Sequence, residues 1–405
     1  MQTVIVFCHL RWDFVYQRPQ QLLTRLAEHY KVLFVEEPLF DTAAPHLHTY
    51  SPAPNLTVYQ PHTPVQAPGF HDEQMPALRS LLANLVQPDD DPIVWFYTPM
   101  ALPLLAQQHP SLVVYDCMDE LSAFKNPPRE LLQRETALLA VADLVFTGGP
   151  SLYEAKRKRH PNAYCFPSSV DAAHFERSLD RSDVHPLQQH LRRPRLGFYG
   201  VIDERFDIGL IAAIADAHTD WQIVLVGPVA KIDAADLPVR PNIHYLGQHS
   251  YQVLPQFLAG WDVCLLPFAL NESTRFISPT KVLEYMAAAL PIVSTAITDV
   301  EQPYGHVVAI GHDHAEFIVH CEQALCQTAE HNAAMAEQMR AIIAETSWDA
   351  TADRMRELLE HAAAQRGAGS RHDVSPVEPA ALATSPGGQE LDAVRAGVPR
   401  TELVA

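Results

Sequence analysis

The chain has 405 residues, 47% of them hydrophobic, and a formal net charge of −19. That length exceeds one ordinary core and fits two domains of typical size. The acidity excludes a general nucleic-acid binder, so any anionic ligand has to be held by a few local cations and backbone amides. Apolar stretches such as VIVFC and VVYDC are strand-length, short of the roughly 20 residues a membrane span needs. MQT runs straight into a strand-like segment with no basic leader, so a cytoplasmic location is expected. The cysteines are scattered without a CxxC pair and read as small buried hydrophobes.

In chain order, VIVFCH (4–9), KVLFVEE (31–37), PIVWFY (92–97), SLVVYD (111–116) and DLVFTG (143–148) alternate with helical patterns. Strands apolar throughout, each followed by a helix, predict parallel sheets covered on both faces, the doubly wound α/β pattern. Residues 176–194 break the pattern with charge and proline and read as a linker between an N-terminal unit (1–175) and a second one (195–345). The second series is RLGFYG (195–200), WQIVLVG (221–227), IHYLG (243–247), DVCLLPF (262–268), PIVST (291–295) and HVVAIG (306–311). An amphipathic helix is expected over 346–365, opened by Ser347 and Asp349. The Ala-, Pro-, Gly- and Ser-rich tail 366–405 reads as disordered.

In open parallel sheets, ligands bind beyond the carboxyl ends of strands, and two such domains make the cleft between them the default site. The loop FCHLRWDFVYQRPQ (7–20) carries His9, Arg11, Trp12 and Arg18, suited to a sugar. Packing of Trp12 and Tyr16 on the domain is the alternative. In YDCMDELSAF (115–124), Asp116 and Asp119 are candidate hydroxyl binders or an acid–base pair, with Asp116 as a helix cap the alternative. No DxD-type cluster supports a metal. KRKRH (156–160) is a candidate for peripheral contact with the inner membrane face, or simply the solvated face of a helix.

In GFYGVIDERFD (197–207), Gly200 permits close backbone approach, Arg205 is placed to reach a phosphate and Asp207 to orient it. The alternative is that both charges are solvated loop residues. In SPTKVLEYMAAAL, Ser278 reads as an N-cap and Pro279 as the first helical residue, with Thr280 and Lys281 completing the turn. Free amides, helix dipole and the Lys281 charge would make that turn a diphosphate site. Glu284, three residues on, is a candidate clamp for two ribose hydroxyls or half of an i,i+3 ion pair.

The Lys-x-x-Glu-Tyr-Met-Ala-Ala segment running into Leu-Pro-Ile-Val resembles the donor-binding signature of retaining GT-B glycosyltransferases. HLRWDFVYQRPQQLLTRLA and YDCMDE resemble bacterial members of the family-1-like or teichuronic-acid type, over about residues 1–365. The resemblance implies two Rossmann-like domains, acceptor-binding then donor-binding, with a terminal helix crossing back. It implies metal-independent hexosyl transfer from a nucleotide-diphosphate sugar to a saccharide or lipid-linked acceptor, in surface polysaccharide or glycolipid synthesis. By the same resemblance Glu284 binds the ribose, the 278–281 amides hold the diphosphate, and Arg205 and Lys281 stabilise the leaving group. His9, Asp116 and Asp119 then bind acceptor or sugar, one of them serving as base if the reaction inverts. Two positions depart from the pattern: Phe276 stands where the family's first glutamate falls, and Leu210 where a phosphate lysine falls, a charge Lys281 would replace. A nucleotide-sugar epimerase on the same fold and an inactive sugar-nucleotide-binding scaffold are the alternatives.

Overall fold

The computed structural model describes residues 1–85 and 90–368, so the expected disordered tail lies, from residue 369 on, outside the described residues. The first sheet contains β1 (Thr3–Cys8), β2 (Lys31–Glu36), β3 (His46–Ala53), β4 (Leu56–His62), β5 (Ile93–Phe96), β6 (Leu112–Cys117), β7 (Leu144–Thr147) and β8 (Ala163–Cys165). Their order is β3-β4-β2-β1-β5-β6-β7-β8. The β-branched runs bury both faces. Val4, Val6 and Cys8 enter one core cluster while Ile5 and Phe7 enter the other, the period-two alternation of a strand.

All neighbours pair parallel except β3, which runs antiparallel to β4 along the edge. β3 thus adds one antiparallel edge strand to an otherwise parallel sheet.

The second sheet holds β9 (Arg195–Tyr199), β10 (Gln222–Val226), β11 (Ile243–Tyr245), β12 (Val263–Leu266), β13 (Ile292–Thr295) and β14 (Ala309–Gly311). The order is β11-β10-β9-β12-β13-β14, parallel throughout. In both sheets the strand order reverses at the first strand, β1 or β9. The crevice beyond a reversal is where doubly wound folds take ligands.

Two connections complete the architecture. The segment read as a polar linker is packed onto the second domain. Its Gln188 amide accepts from the Trp261 indole N–H at 3.0 Å and donates to the Phe257 carbonyl at 2.9 Å. The terminal helix Trp348–Ala368 returns to the first domain, where Trp348, Met355 and Leu359 are buried in its core. There Arg25 bonds Asp349 at 2.5 Å, and Arg366 bonds the Ser111 carbonyl at 2.7 Å. Two doubly wound sheets with a helix crossing back are the GT-B arrangement. Among the described residues no helix is long and apolar enough to cross a membrane.

Candidate active site

The centre of the second domain's crevice is built from the end of β9 and the helix Lys281–Ala287. Gly200 ends β9 at φ +141°, a conformation that favours glycine. A β-carbon there would run into the Lys281 side chain, 2.8 Å from Nζ. The missing side chain lets the amine lie against the backbone. The Lys281 ammonium sits 5.8 Å from the centre of the Phe198 ring and makes no ion pair among the described residues. Burial pulls its pKa down, and Glu284 pulls it back.

Glu284 is buried and accepts a 2.5 Å hydrogen bond from the Tyr199 hydroxyl. Burial pushes its carboxyl up, against the opposing effects of that hydroxyl and Lys281. The i,i+3 ion pair with Lys281 is not formed, so both groups keep capacity for a ligand.

The turn before this helix differs from the expectation. The helix begins at Lys281, with Thr280 rather than Ser278 at its cap and Pro279 outside it. The reason is tertiary. Thr280 donates its hydroxyl to Ser168 Oγ of the first domain at 2.8 Å, and Ser278 packs so closely on Gly149 that a β-carbon there would stand 2.7 Å from its Cβ. The turn is pinned open, and the amides of Ser278, Thr280 and Lys281 donate to no backbone carbonyl among the described residues.

Arg205 is held by Asp203, through Nε at 3.0 Å to Oδ1 and a second nitrogen at 2.6 Å to Oδ2. Asp207, expected to orient it, instead caps the next helix through the Leu210 amide at 2.8 Å and pairs with His314 at 3.0 Å. The Arg205 guanidinium lies 5.3 Å from the centre of the Phe124 ring of the first domain, and Lys231, from the loop after β10, lies 5.4 Å from it. The backbone N–H of Lys125 donates to Glu204 at 2.9 Å, so the two domains touch here.

On the first domain's side, His9 and Asp119 border the same region. Burial, then Lys231, lower the His9 pKa to about 4, so the imidazole is neutral at pH 7. Burial raises the Asp119 pKa, while Arg205 and Lys231 oppose it and Asp203 adds to it.

The remaining expected binders are engaged in the fold. Arg18 and Asp116 pair with each other at 2.9 Å and are 4% and 0% exposed, and Arg18 also donates to the Phe166 carbonyl at 2.8 Å. A ligand would have to break that pair, so their expected substrate role is corrected to bracing the loop. Trp12 is buried edge-on against Phe34, 5.1 Å between ring centres. Arg11 is tied to Glu36 at 3.0 Å and to the Glu37 carbonyl at 2.5 Å. Neither reaches into the cleft as a sugar binder would.

The basic run is also not one surface. Lys156 is buried on Glu120 and Glu135, His160 is buried beneath the Ala142 carbonyl, and Arg159 pairs with Glu135. Arg157 and Lys158 remain exposed.

Residues 193–345 match the family model for glycosyl transferases group 1. The second domain is therefore similar to that of group 1 glycosyltransferases. Over 297 residues the chain is 23% identical to TuaH of Bacillus subtilis (strain 168), provisionally named for teichuronic acid biosynthesis; the match spans 67% of this chain and 72% of that one. Among solved structures it is similar to sucrose-phosphate synthase from Thermosynechococcus elongatus, at 17% identity and a TM-score of 0.66 over 90% of this chain and 100% of that one. It is also similar to an E. coli trehalose-6-phosphate protein bound with UDP-2-fluoro glucose, at 13% identity and a TM-score of 0.65, covering 88% and 99%. An Anabaena protein in complex with UDP and glucose gives 16% and 0.63, covering 89% and 100%. These likenesses are of fold.

Asp203, Lys231, Tyr199 and Phe124 lie against the expected donor residues, and motif reasoning did not single them out. The position of Lys231 just after a strand's carboxyl end was the available signal. A hollow of about 500 Å³ lined by Asp207, Thr295, His312 and His314 opens toward β13 and β14; of the candidate residues only Asp207 lines it.

Proposed function

We propose that the protein transfers a sugar from a nucleotide-diphosphate sugar to an acceptor hydroxyl, with retention and without a metal, in surface polysaccharide or glycolipid synthesis. The second domain takes the donor and the first the acceptor. The observation that carries this is the Lys281–Glu284 pair. The two share one helix without bonding each other, the amine rests in the space left by Gly200, and the amides of Ser278, Thr280 and Lys281 at the helix start have no backbone acceptor among the described residues. The similarity to TuaH supports the polysaccharide assignment.

Glu284 would accept ribose hydroxyls, as acidic residues do in dinucleotide folds. The bond from the sugar's anomeric carbon to the diphosphate oxygen breaks, and negative charge grows on the leaving group. Lys281, Arg205, Lys231 and the amides of Ser278, Thr280 and Lys281 would stabilise that charge. A bond forms from the anomeric carbon to the acceptor oxygen, whose proton passes to the departing phosphate. Lys231 would join Lys281 in supplying the charge absent at Leu210.

Incubation with UDP-glucose and with GDP-mannose, with and without a polysaccharide or glycolipid acceptor extract, separates the readings. Acceptor-dependent release of nucleoside diphosphate, with an axial product linkage from the axially linked donor, is expected. Inverted product would end the retaining mechanism and call for a base at Asp119 or His9. Phe276 lies between the stacked Arg275, at 5.1 Å, and the first domain's core, in place of a sugar-positioning carboxylate. That placement favours the scaffold as the second reading, which predicts nucleotide binding with no turnover.

A further inference from the structure

The loop that follows β6 brings Phe124 to Arg205 and Lys231 of the second domain and carries Asp119 on the way, yet little apolar packing holds it. No residue from Met118 to Phe124 is fully buried, and 125–129 are exposed. Met118 and Leu121 lie against the edges of the first domain's two cores. Beneath the turn, Glu120, Leu121 and Ser122 share a small hollow with Tyr115 and Glu135, so the loop is not pressed onto the helix Leu131–Val141. What holds it instead is polar. The Glu120 carboxylate accepts from Ser122 Oγ at 2.9 Å and from Lys156 Nζ at 2.7 Å.

Lys156 ends the helix Pro150–Lys156 and is 2% exposed. A buried ammonium is costly unless it is paired. This one bridges two carboxylates, Glu120 on the loop and Glu135 on the helix Leu131–Val141. Glu135 does not depend on it alone, because Arg159 and the Tyr115 hydroxyl, at 3.2 Å, also bond it. Glu120 has Lys156 as its one cationic partner among the described residues. The bridge therefore carries the rigidity of two helices into the loop.

The start of the same helix meets the second domain. The Ser151 amide donates to the Asp299 carboxylate at 3.1 Å, and Gly149, just before the helix, packs on Ser278 of the 278–281 turn. From Glu120 the chain needs only the single turn Leu121–Ala123 to reach Phe124, whose ring faces Arg205 and Lys231, and the Lys125 amide, which donates to Glu204. One short helix thus touches the 278–281 turn at its start and, through Glu120, steadies the wall beside the two cations at its end.

We infer that Lys156 is a positioning residue of the transfer site, acting through Glu120 to hold Phe124 against Arg205 and Lys231. The inference rests on the donor reading above. Both cations keep their place over one ring before nucleotide arrives, so less order has to be imposed when it binds. The basic run KRKRH contributes here through its buried lysine.

Lys156→Met would also strip Glu135 of a partner, so the test is made at Glu120, where alanine leaves Lys156 paired with Glu135. Hydrogen exchange of the full chain without ligand reads the loop directly. In Glu120→Ala the amides of Leu121, Ala123 and Lys125 are expected to exchange at least about tenfold faster, with those of β6 protected as in wild type. Glu120→Gln, whose amide oxygen still accepts from Lys156 and Ser122, is expected to exchange like wild type. Unchanged exchange in Glu120→Ala would overturn the inference and leave the donor reading standing.

Calorimetry with UDP and with GDP supplies a readout that a purely structural link would not move. Glu120→Ala and Phe124→Ala are each expected to weaken nucleotide binding about three- to tenfold, the order of a cation–π contact. The double variant is expected to bind no worse than the more affected single one, because both residues act through one loop. Effects that multiply in the double variant, or wild-type affinity in Glu120→Ala, would overturn the inference. No heat from wild type with either nucleotide would overturn the donor reading and this inference with it.

Discussion

Replacing Lys281 with alanine is expected to weaken nucleoside diphosphate binding roughly 10- to 150-fold, the equivalent of about 1.5–3 kcal/mol for hydrogen bonds to a charged group. The fold should survive. The Lys281 ammonium makes no ion pair among the described residues, and its contact is with the face of Phe198. Burial already disfavours the charged amine, so its removal relieves a cost in the empty protein while taking charge from the occupied one. Titration calorimetry of the variant, beside a circular dichroism melt, separates the two effects. Unchanged affinity would end the diphosphate assignment for the 278–281 turn. Weakened affinity with a collapsed melt would point to a folding role instead.

Replacing Arg18 with alanine is expected to destabilise the native state by about 3–5 kcal/mol, because it leaves a buried carboxylate uncompensated. Asp116 is fully buried, and three of its contacts within hydrogen-bond distance come from the Arg18 guanidinium, at 3.2, 3.2 and 2.9 Å. The guanidinium also ties the start of the first helix to the carbonyl of Phe166. Urea unfolding at neutral pH measures the loss. The double variant Arg18→Met with Asp116→Leu should recover much of it, since an apolar pair of similar volume can replace a buried ion pair. A stability loss below about 1 kcal/mol, with acceptor use abolished, would restore the ligand role for these residues that their burial argues against.

The strands of both sheets were legible because a parallel strand buried on two faces is an uninterrupted apolar run. β3, β4 and β8 were not: HLHTYSPA lies exposed at the sheet edge, LTVYQPH alternates, with proline and histidine in each, and β8 is only three residues long. That Gly200, Lys281 and Glu284 come together at one strand end was legible from local spacing. Which carboxylate turns toward Arg205 was not. Asp203 and Asp207 flank it on either side, and the choice depends on Asp207 being claimed by the Leu210 amide. Arg18 and Asp116 were misjudged for a similar reason: each looks like a free charge in its own loop, and only the fold joins two residues 98 positions apart. Lys231 carries no local motif, and only the fold brings it to the Phe124 ring that Arg205 also faces.

The account turns on the donor site, and the most direct measurement is the melting of wild type and Glu284→Ala with UDP, GDP, ADP and dTDP. A ligand present at a hundred times its dissociation constant that binds only the native state adds about 2.7 kcal/mol. A rise in melting temperature with one base, lost in Glu284→Ala, is the predicted result. A panel that leaves the wild-type melt unmoved, or moves both proteins alike, would contradict it.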